Sequence, residues 1–425
     1  MLSIDLIRRD PEQVRRRLAR RGGENAPVSE ILDLDSRRRM LVTERDTLRS
    51  QHKDLSRQFG KLRQEKSDGG ANSLIEEIRQ VSERISALER DVIGLEKYLS
   101  GLMIGLPNLP LDTVPDGWDE TENKVIRQSG AVKTFQFTPR PHWELGEELG
   151  VIDLERGAKL SGSRFFILLN QAARLERALI NWMLDVHTRE HGYVEVSPPV
   201  LVREEVLLSS GDLPKFRENL YRDTDDDLWL IPTAEVPLNG MHKDEILDQA
   251  LLPINYVANT PCFRREKTAA GRDTRGIKRV HQFEKVEMYK IVQPDADIEG
   301  LALLVEHAED LCERLGLAHR VVQLCAGDLS LKSAMTYDIE VWAPGCQEWL
   351  EVSSCSTCTD FQARRSNIRY RPKSGGRTEY VHTLNGSGLA LPRIMIAIME
   401  TYQRQDGSIE IPQELQAYTG FATIE

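Results

Sequence analysis

Apolar residues recur at alternating spacings of four and three between residues 74 and 99. The positions are Leu74, Ile78, Val81, Ile85, Leu88, Val92, Leu95 and Leu99. This heptad spacing lines one side of an α-helix, which can then pack against a second helix. A second series recurs every seven residues upstream, at Leu34, Leu41, Leu48, Leu55 and Leu62. The sequence therefore predicts two long antiparallel helices, over residues 29–66 and 73–101, with SDGGANS (67–73) as the turn between them.

The predicted helical hairpin carries a positive excess in a chain whose formal net charge is -11. Residues 1–66 hold 17 basic and 11 acidic side chains. A basic hairpin can follow the backbone of an RNA by electrostatic attraction. The alternative is a coiled coil that serves dimerisation or partner binding. The candidate RNA contacts are cations of the first helix: Arg37, Arg38, Arg39, Arg45, Arg49, Lys53, Arg57 and Lys61.

A proline-rich linker, GLPNLPLDTVPDGWDE (105–120), separates the hairpin from a region with a different pattern. An amphipathic helix is predicted at 169–193, followed by a strand in YVEVSPPVLV. Further strand-like segments are LWLIPTAEV, INYVANTPCFRRE, RVHQFEKVEMYKIV, TYDIEVWA and EWLEVSSC. They favour an α+β fold with a mixed, mostly antiparallel sheet and flanking helices. The predicted division is residues 1–104, a linker at 105–129, and residues 130–425.

Composition narrows the class of protein. No run of about 18 apolar residues is present, so no membrane span is predicted. The first residues, MLSIDLIRRDPEQVRRRL, lack the apolar stretch of a signal peptide and mix acidic with basic side chains, unlike a transit peptide. Six cysteines in 425 residues are few for a disulfide framework. We therefore expect a reduced, cytoplasmic protein with no membrane partner.

A second concentration of positive charge, with seven Lys and Arg, lies in FRREKTAAGRDTRGIKR (263–279). The flanking strand-like stretches and two glycines predict a hairpin with a long basic tip. Because strand residues two apart share a face, Arg264 lies with Glu266, and Phe283 with Glu287. An arginine can bind a phosphate bidentately, a phenyl ring can stack on a purine, and a carboxylate can accept from an amine. The segment indicates a nucleotide site, and the alternative is a surface hairpin with solvated charge pairs.

Five ordered segments resemble motifs of bacterial-type seryl-tRNA synthetases. The basic hairpin, with FRRE (263–266), GRDTRG (271–276) and VHQFEKVE (280–287), resembles motif 2 of that family. HGYVEVSPPVLV resembles motif 1, and PTAEV (232–236) resembles the serine-binding loop. EVSS (351–354) with CSTCTDFQARR resembles the metal and ATP segment, and NGSGLA (385–390) through Arg393 resembles motif 3. The likeness covers nearly the whole chain, including the helical hairpin, and the order of five motifs makes chance agreement remote.

The resemblance implies class II aminoacylation. Serine and ATP give seryl-adenylate and pyrophosphate, and the seryl group passes to the 3′-terminal adenosine of tRNA(Ser) or, where it exists, tRNA(Sec). The implied ATP-binding residues are Arg264, Arg265, Glu266, Val280, Phe283, Glu351, Val352, Ser353, Ser354 and Arg393. In this scheme Arg264 holds the α-phosphate, Phe283 stacks on the adenine and Arg393 holds the γ-phosphate. Arg264, Glu351 and Arg393 are the implied catalytic residues, and Glu351 and Ser354 the implied Mg²⁺ ligands.

The resemblance also implies a serine pocket and an assembly. Its residues are Thr233, Ala234, Glu235, Glu287 and Ser387, with Glu287 on the α-ammonium and Ser387 on the hydroxyl. Arg272 and Arg275 are expected to contact pyrophosphate or the tRNA acceptor end. The helical hairpin is expected to grip the long variable arm of the tRNA within a homodimer. From the residues alone, Glu287 could instead form a structural ion pair with Lys285 or Lys290, and Ser387 could be a turn residue.

Departures from the family pattern left alternatives open. Cys355-x-x-Cys358 has no second cysteine pair at a suitable spacing, so no zinc is expected. Lys267-Thr268 replaces the usual Ala-Gly, and Pro392 replaces a common Gly, which is compatible with a specialised second copy of the enzyme. Three other hypotheses are a carrier-protein amino-acid ligase, a non-catalytic paralogue and a coiled-coil scaffold. A carrier-protein amino-acid ligase would lack the helical hairpin. A non-catalytic paralogue should have lost Arg264, Glu287, Glu351 or Arg393, and all four are present. A coiled-coil scaffold would leave motifs 1 to 3 unexplained.

Overall fold

A computed structural model describes residues 1–64, 71–267 and 275–425. The chain divides into two compact units. The helical unit comprises Leu2–Arg16 and Gly23–Leu106, and the sheet unit comprises Met1, Arg17–Gly22 and Pro107–Glu425. No helix among the described residues is both long enough and apolar enough to cross a membrane.

Two long helices dominate the first 105 residues. The helices there are α1 Ile4–Arg9, α2 Pro11–Ala19, α3 Val28–Gln64 and α4 Ala71–Gly105. α3 and α4 pack together along their length, which confirms the predicted helical hairpin. Of the predicted turn, residues 67–70 lie outside the described residues, whereas residues 71–73 already belong to α4. Ala71 and Asn72 thus belong to a helix that we expected to begin at Ser73.

The heptad series forms the contact between α3 and α4. All eight members of the series on α4 are buried or half-buried, and Leu88 is fully buried. Arg38–Glu96, Glu44–Arg84 and Arg49–Glu89 add ion pairs between the helices, each at 2.6 Å. Exposed ion pairs contribute at most about 1 kcal/mol each, whereas burying a leucine contributes about 1.5–3 kcal/mol. The apolar seam therefore holds the helical hairpin together.

The sheet unit contains nine further helices among the residues described. They are α5 His142–Glu148, α6 Leu154–Ser161, α7 Asn170–Arg189, α8 Glu204–Ser210, α9 Glu235–Gly240, α10 Asp297–Arg314, α11 Phe361–Ser366, α12 Leu391–Tyr402 and α13 Gln413–Thr419. α7 matches the predicted amphipathic helix, and its apolar residues enter the main core together with those of α10 and α12.

Seventeen strands lie in the same described part of the chain. They are β1 Lys124–Ser129, β2 Ile152–Asp153, β3 Ile167–Leu168, β4 Val194–Glu195, β5 Leu201–Arg203, β6 Leu228–Leu230, β7 Ile246–Asp248, β8 Ile254–Phe263, β9 Gln282–Val292, β10 His319–Gln323, β11 Met335–Ala343, β12 Glu348–Thr357, β13 Arg369–Arg371, β14 Glu379–Tyr380, β15 His382–Ala390, β16 Ile409–Glu410 and β17 Thr423–Ile424. The largest sheet has the order β1-β10-β11-β12-β15-β9-β8-β4. Every pair in it is antiparallel except β4 with β8, which confirms the predicted α+β fold with a mixed, mostly antiparallel sheet.

Strand β9 is buried on both faces because each face packs against a different layer. Val286 and Met288 point into the main core. Tyr289 and Ile291 point the other way, into a smaller cluster with Ala234 of the loop before α9. Successive side chains of a strand alternate between faces. Lys285 and Glu287 therefore share the face of Tyr289, and this places two charges inside the fold.

Three predicted strands end earlier than the sequence suggested. In LWLIPTAEV the strand stops at Leu230, and Glu235 begins α9. In YVEVSPPVLV the strand is interrupted, since the paired prolines cannot donate to a ladder. The basic hairpin pairs only from Phe263 with Gln282 inward. Glu266 has a φ of 48°, which no β-strand accommodates.

Candidate active site

The ends of β9, β11, β12 and β15 and the loop before α9 line a pocket of about 580 Å³. Eleven of the predicted site residues line it: Thr233, Glu235, Arg264, Glu266, Val280, Phe283, Glu351, Val352, Ser354, Ser387 and Arg393. They come from five separate segments of sequence, and the sheet brings them to one place.

Four predicted site residues do not line the pocket. Ala234 is fully buried in the smaller apolar cluster. Arg265 donates its Nε–H to the carbonyl oxygen of Leu220 at 2.9 Å. Ser353 donates its hydroxyl to the carbonyl oxygen of Ser387 at 2.5 Å, so it supports the pocket from behind. Glu287 lies directly beneath the lining, fully buried.

Glu287 is fully buried under Thr233 and Lys285, which both line the pocket. Its Oε2 accepts from the Thr233 hydroxyl at 2.8 Å and pairs with the Lys285 ammonium. Its Oε1 has no hydrogen-bond partner among the residues described. On the neighbouring strand, Ser387 stands opposite Glu287 in the register of β15 and β9. A buried carboxylate oxygen without a donor is costly, so a hydrogen bond from a donor that reaches this atom would be favourable.

A second buried charge cluster supports the floor of the pocket. Lys332 places its Nζ 2.7 Å from Oε2 of Glu235 and 3.2 Å from Oδ2 of Asp212. The other oxygen of Glu235 accepts from Gln362 at 2.7 Å. Burial by itself lowers the pKa of Lys332, but the carboxylates of Asp212 and Glu235 outweigh burial and raise it. The Lys332 ammonium therefore stays charged, and Glu235 is held rigidly by partners on both of its oxygens.

The other end of the pocket has the groups expected of a nucleotide site. The Arg264 guanidinium lies 5.3 Å from the centroid of the Phe283 ring, and its Nε–H donates to the carbonyl oxygen of Pro232 at 3.1 Å. Glu266 pairs with Arg279 at 3.3 Å. Arg393, near the start of α12, lies 3.2 Å from Oε2 of Glu351. A phenyl ring, two fixed guanidinium groups and a carboxylate are thus available to a purine and its phosphates.

A carboxylate that sequence reasoning missed lies beside the predicted metal ligands. Asp338 stands opposite Ser354 in the register of β11 and β12 and lines the pocket. Burial, followed by the charge of Glu351, raises its pKa well above the ordinary value. Its Oδ1 has no partner within the described part of the chain. The signal in the sequence was the pair of carboxylates Asp338 and Glu340 at alternate positions of a strand with no other charged residue.

Lys332, Asp212 and Gln362 were also missed, and no local pattern of the sequence pointed to them. Asp212 and Lys332 lie outside the predicted motifs, whereas Gln362 lies within the quoted segment CSTCTDFQARR without having been singled out. Asn385, by contrast, stood within the quoted motif 3 segment. It lines the pocket, and its Oδ1 has no partner among the described residues.

The basic loop of the hairpin falls only partly within the described structure. Residues 268–274, including Arg272, lie outside it. Arg275 stacks its guanidinium 4.7 Å from the Trp143 ring centroid. His142 holds the chain that follows Arg275. Its Nε2 accepts from the backbone N–H of Ile277 at 3.1 Å, and its Nδ1–H donates to Glu400 at 2.9 Å. This connection fixes the return of the loop against α12.

The thiols of Cys355 and Cys358 are free and fully buried. Burial raises the pKa of Cys355 to about 12 and raises that of Cys358 as well. Zinc binds the thiolate form of cysteine. These thiols therefore lie in surroundings that disfavour the form that would bind zinc.

The fold and the pocket define the chain as a class II aminoacyl-tRNA synthetase. Residues 216–402 match the family model described as "tRNA synthetase class II core domain (G, H, P, S and T)", and residues 1–110 match "Seryl-tRNA synthetase N-terminal domain". The chain is 55% identical to a serine–tRNA ligase of Thermomicrobium roseum, over 99% of this chain and 94% of that protein. It is 54% identical to that of a Roseiflexus species, over 99% and 98%. The chain belongs to the seryl-tRNA synthetase family.

A solved structure agrees with this assignment over the full length. The seryl-tRNA synthetase of Pyrococcus horikoshii, complexed with ATP, superposes with a TM-score of 0.94 at 41% identity and covers 100% of this chain and 99% of its own. The predicted family, fold and enzyme class are thereby confirmed. The activity is that of a serine–tRNA ligase, which uses ATP and tRNA.

Proposed function

We propose that the pocket binds L-serine on Glu287 and ATP on the Arg264–Phe283 side, and that no protein nucleophile takes part. The observation that carries the proposal is the Oε1 of Glu287, which is buried and lacks a partner among the described residues. The α-ammonium of serine supplies three donors. One of them satisfies Oε1, while Thr233 donates its hydroxyl to the other oxygen of Glu287 and so holds the carboxylate in place.

Polar groups held in place by the protein form hydrogen bonds with the serine hydroxyl. Ser387 stands across from Glu287, and Glu235 is held by Lys332 and Gln362. A site that hydrogen-bonds a hydroxyl rejects an analogue lacking it, because its polar groups are then left unpaired. Alanine is excluded in this way, and threonine is excluded by the space that its methyl group needs.

ATP occupies the opposite end with its adenine on Phe283. Glu266 and the backbone near Val280 contact the adenine, Arg264 contacts the α-phosphate and Arg393 the γ-phosphate. A carboxylate oxygen of serine attacks the α-phosphorus, and the bond to the bridging oxygen breaks to release pyrophosphate. The hydroxyl of the terminal adenosine of the tRNA then attacks the seryl carbonyl, and AMP leaves. Arg264 is fixed by Pro232, so its charge is in place where negative charge grows.

The residues at Glu351 fit a magnesium ion. Glu351, Ser354 and Asp338 offer oxygen atoms side by side on β11 and β12, and Oδ1 of Asp338 has no protein donor among the residues described. Oxygen ligands and substrate phosphates are what Mg²⁺ prefers. Glu351 and Ser354 would hold the ion, which would orient the phosphates and screen their charge.

The remaining proposals concern assembly and partners. Residues 1–104 form the tRNA-binding part and residues 130–425 the catalytic part, joined by 105–129. The helical hairpin grips tRNA(Ser), and tRNA(Sec) where it exists, in a cytoplasmic homodimer. The basic side chains of α3 support this role, since a polyanion backbone binds by neutralisation of its phosphates.

The test is ATP–pyrophosphate exchange with serine, threonine, alanine or glycine, on the wild type and on Glu287→Ala. We expect exchange that depends on serine and is reduced at least about 100-fold in the variant, while binding of ATP stays within about two-fold. Exchange without a preference for serine, or a fully active Glu287→Ala, would remove the proposed serine site. Lys159→Ala, at an exposed position of α6, is the matched control and should behave as wild type.

A further inference from the structure

Lys285 stands between the pocket and Glu287. It lines the pocket, whereas Glu287 beneath it does not. Its Nζ pairs with Oε2 of Glu287 and lies 3.0 Å from the Thr233 hydroxyl oxygen. The ammonium of Lys285 thus occupies the surroundings that a substrate ammonium requires: a buried carboxylate and a hydroxyl acceptor.

We propose that Lys285 binds the carboxylate of serine, and that in the pocket without amino acid it holds the place of the serine ammonium on Glu287. The inference rests on the serine site proposed above. Serine is a zwitterion, and the Lys285–Glu287 pair is its charge complement. When serine enters, its ammonium replaces that of Lys285 on Glu287, and Lys285 turns its own ammonium to the serine carboxylate.

The neighbouring groups leave Lys285 free for this exchange. Its cross-strand neighbours are Thr260 on β8 and Ala390 on β15, and neither carries a charge. Two other buried lysines line the pocket: Lys332 is already held by two carboxylates, and Lys278 pairs with Glu348 at 2.7 Å. Arg264 is fixed by the carbonyl of Pro232. A lysine has a flexible stem with a compact charge, so Lys285 can reorient where a fixed guanidinium cannot.

The exchange also keeps the buried charges paired. A lone carboxylate brought into a buried site is strongly disfavoured, and so is a lone ammonium. In the pocket without serine, Lys285 and Glu287 neutralise each other. With serine bound, two pairs replace one, and Oε1 of Glu287 gains the donor that it lacks.

The experiment compares two ligands on two proteins. L-serinamide keeps the ammonium and the hydroxyl of serine but replaces the carboxylate by a neutral amide. We would measure the Kd of serine and of serinamide by calorimetry on the wild type and on Lys285→Met. We expect serine to bind at least about 20-fold more weakly to the variant, because a charge-assisted contact is lost. The Kd of serinamide for Lys285→Met should lie within about three-fold of its Kd for the wild type, or be lower. In the variant, the ammonium of serinamide no longer competes with the ammonium of Lys285 for Glu287.

Equal weakening of both ligands would overturn the inference, since Lys285 would then act only by supporting Glu287. Unchanged serine binding would overturn it as well. Lys285→Gln provides the same comparison with a polar side chain if Lys285→Met does not fold. The matched control is Lys290→Met, which removes a buried lysine from the opposite face of β9, where its Nζ lies 5.1 Å from the Tyr193 ring centroid. Both ligands should bind this control as they bind the wild type.

Glu287→Gln separates failure of this inference from failure of the serine site. Both ligands carry the ammonium, so both should bind this variant at least about 20-fold more weakly. If neither is affected, the proposed serine site is wrong. If both are affected but Lys285→Met shows no preference between the ligands, the site stands and the role of Lys285 falls.

Discussion

Lys332 and Glu235 form a buried ion pair, with Nζ 2.7 Å from Oε2, although 97 residues separate them in the chain. Asp212 shares the same ammonium at 3.2 Å. If the lysine is removed, the carboxylates of Asp212 and Glu235 both lose their positive partner and leave uncompensated negative charge in the fold. The pair therefore has a direct consequence for stability.

Lys332→Met is expected to lower the free energy of unfolding by about 3–5 kcal/mol, because breaking a buried pair leaves a charge without a partner. Urea unfolding followed by tryptophan fluorescence measures the effect. Adding Glu235→Gln should recover part of the loss, since it removes one of the unpaired carboxylates. Lys159→Met, at an exposed site, should change stability by less than about 0.5 kcal/mol. A loss below about 1 kcal/mol in Lys332→Met would show that the ion pair is unimportant.

Phe283→Leu is expected to raise the KM for ATP about five- to 50-fold in the exchange assay. Stacking of a base on an aromatic ring contributes about 1–3 kcal/mol, and leucine offers no flat surface to the purine. The KM for serine should change less than about three-fold. Phe283→Tyr keeps the ring and is the control. If leucine and tyrosine behave alike, the adenine does not stack on this residue.

Lys53→Ala combined with Lys61→Ala is expected to weaken tRNA(Ser) binding about three- to ten-fold at low salt. Within the described residues neither lysine forms an ion pair, whereas Arg49 is paired with Glu89. Each lost phosphate contact should also reduce the slope of log K against log salt by about 1. Filter binding over a range of salt concentrations measures both quantities. Exchange without tRNA should be unchanged, and a loss of exchange would indicate a folding defect instead.

Glu176→Gln is expected to stabilise the protein above neutral pH but not below about pH 4.5. Burial, followed by the charge of Glu284, raises the pKa of Glu176 to about 7 from an ordinary value of 4.5. Between pH 4.5 and about 7, Glu176 is ionised in the unfolded chain but protonated in the folded chain. The free energy of unfolding of the wild type therefore falls as pH rises through this window. Above pH 7 the carboxylate is ionised in both states, and the full cost is present.

The gain in Glu176→Gln should reach about 1–2 kcal/mol at pH 8, measured by urea unfolding at pH 4.5, 6 and 8. Glu147→Gln changes an exposed carboxylate of α5 and should show no such pH dependence. A gain that is the same at all three pH values would mean that ionisation of Glu176 is not its cause.

The sequence by itself determined the helical hairpin and the order of the site motifs. A heptad series specifies which side of a helix is apolar from spacing alone, and α4 buries that series as predicted. The motifs around Arg264, Glu351 and Arg393 gave the nucleotide end of the pocket, because a family pattern records residue types that the chemistry requires. The α+β class followed from alternating apolar segments.

Only the tertiary structure decided which charges meet and where strands stop. The hairpin ladder ends at Phe263 and the positive φ of Glu266 follows three residues later, and no local signal announced either. Lys285 and Lys290 were equal candidates as partners of Glu287, and the alternation of β9 gave the contact to Lys285. Asp212, Glu235 and Lys332 meet through packing of distant segments. Local spacing carries no information about such contacts, because their energy depends on burial that the whole fold creates.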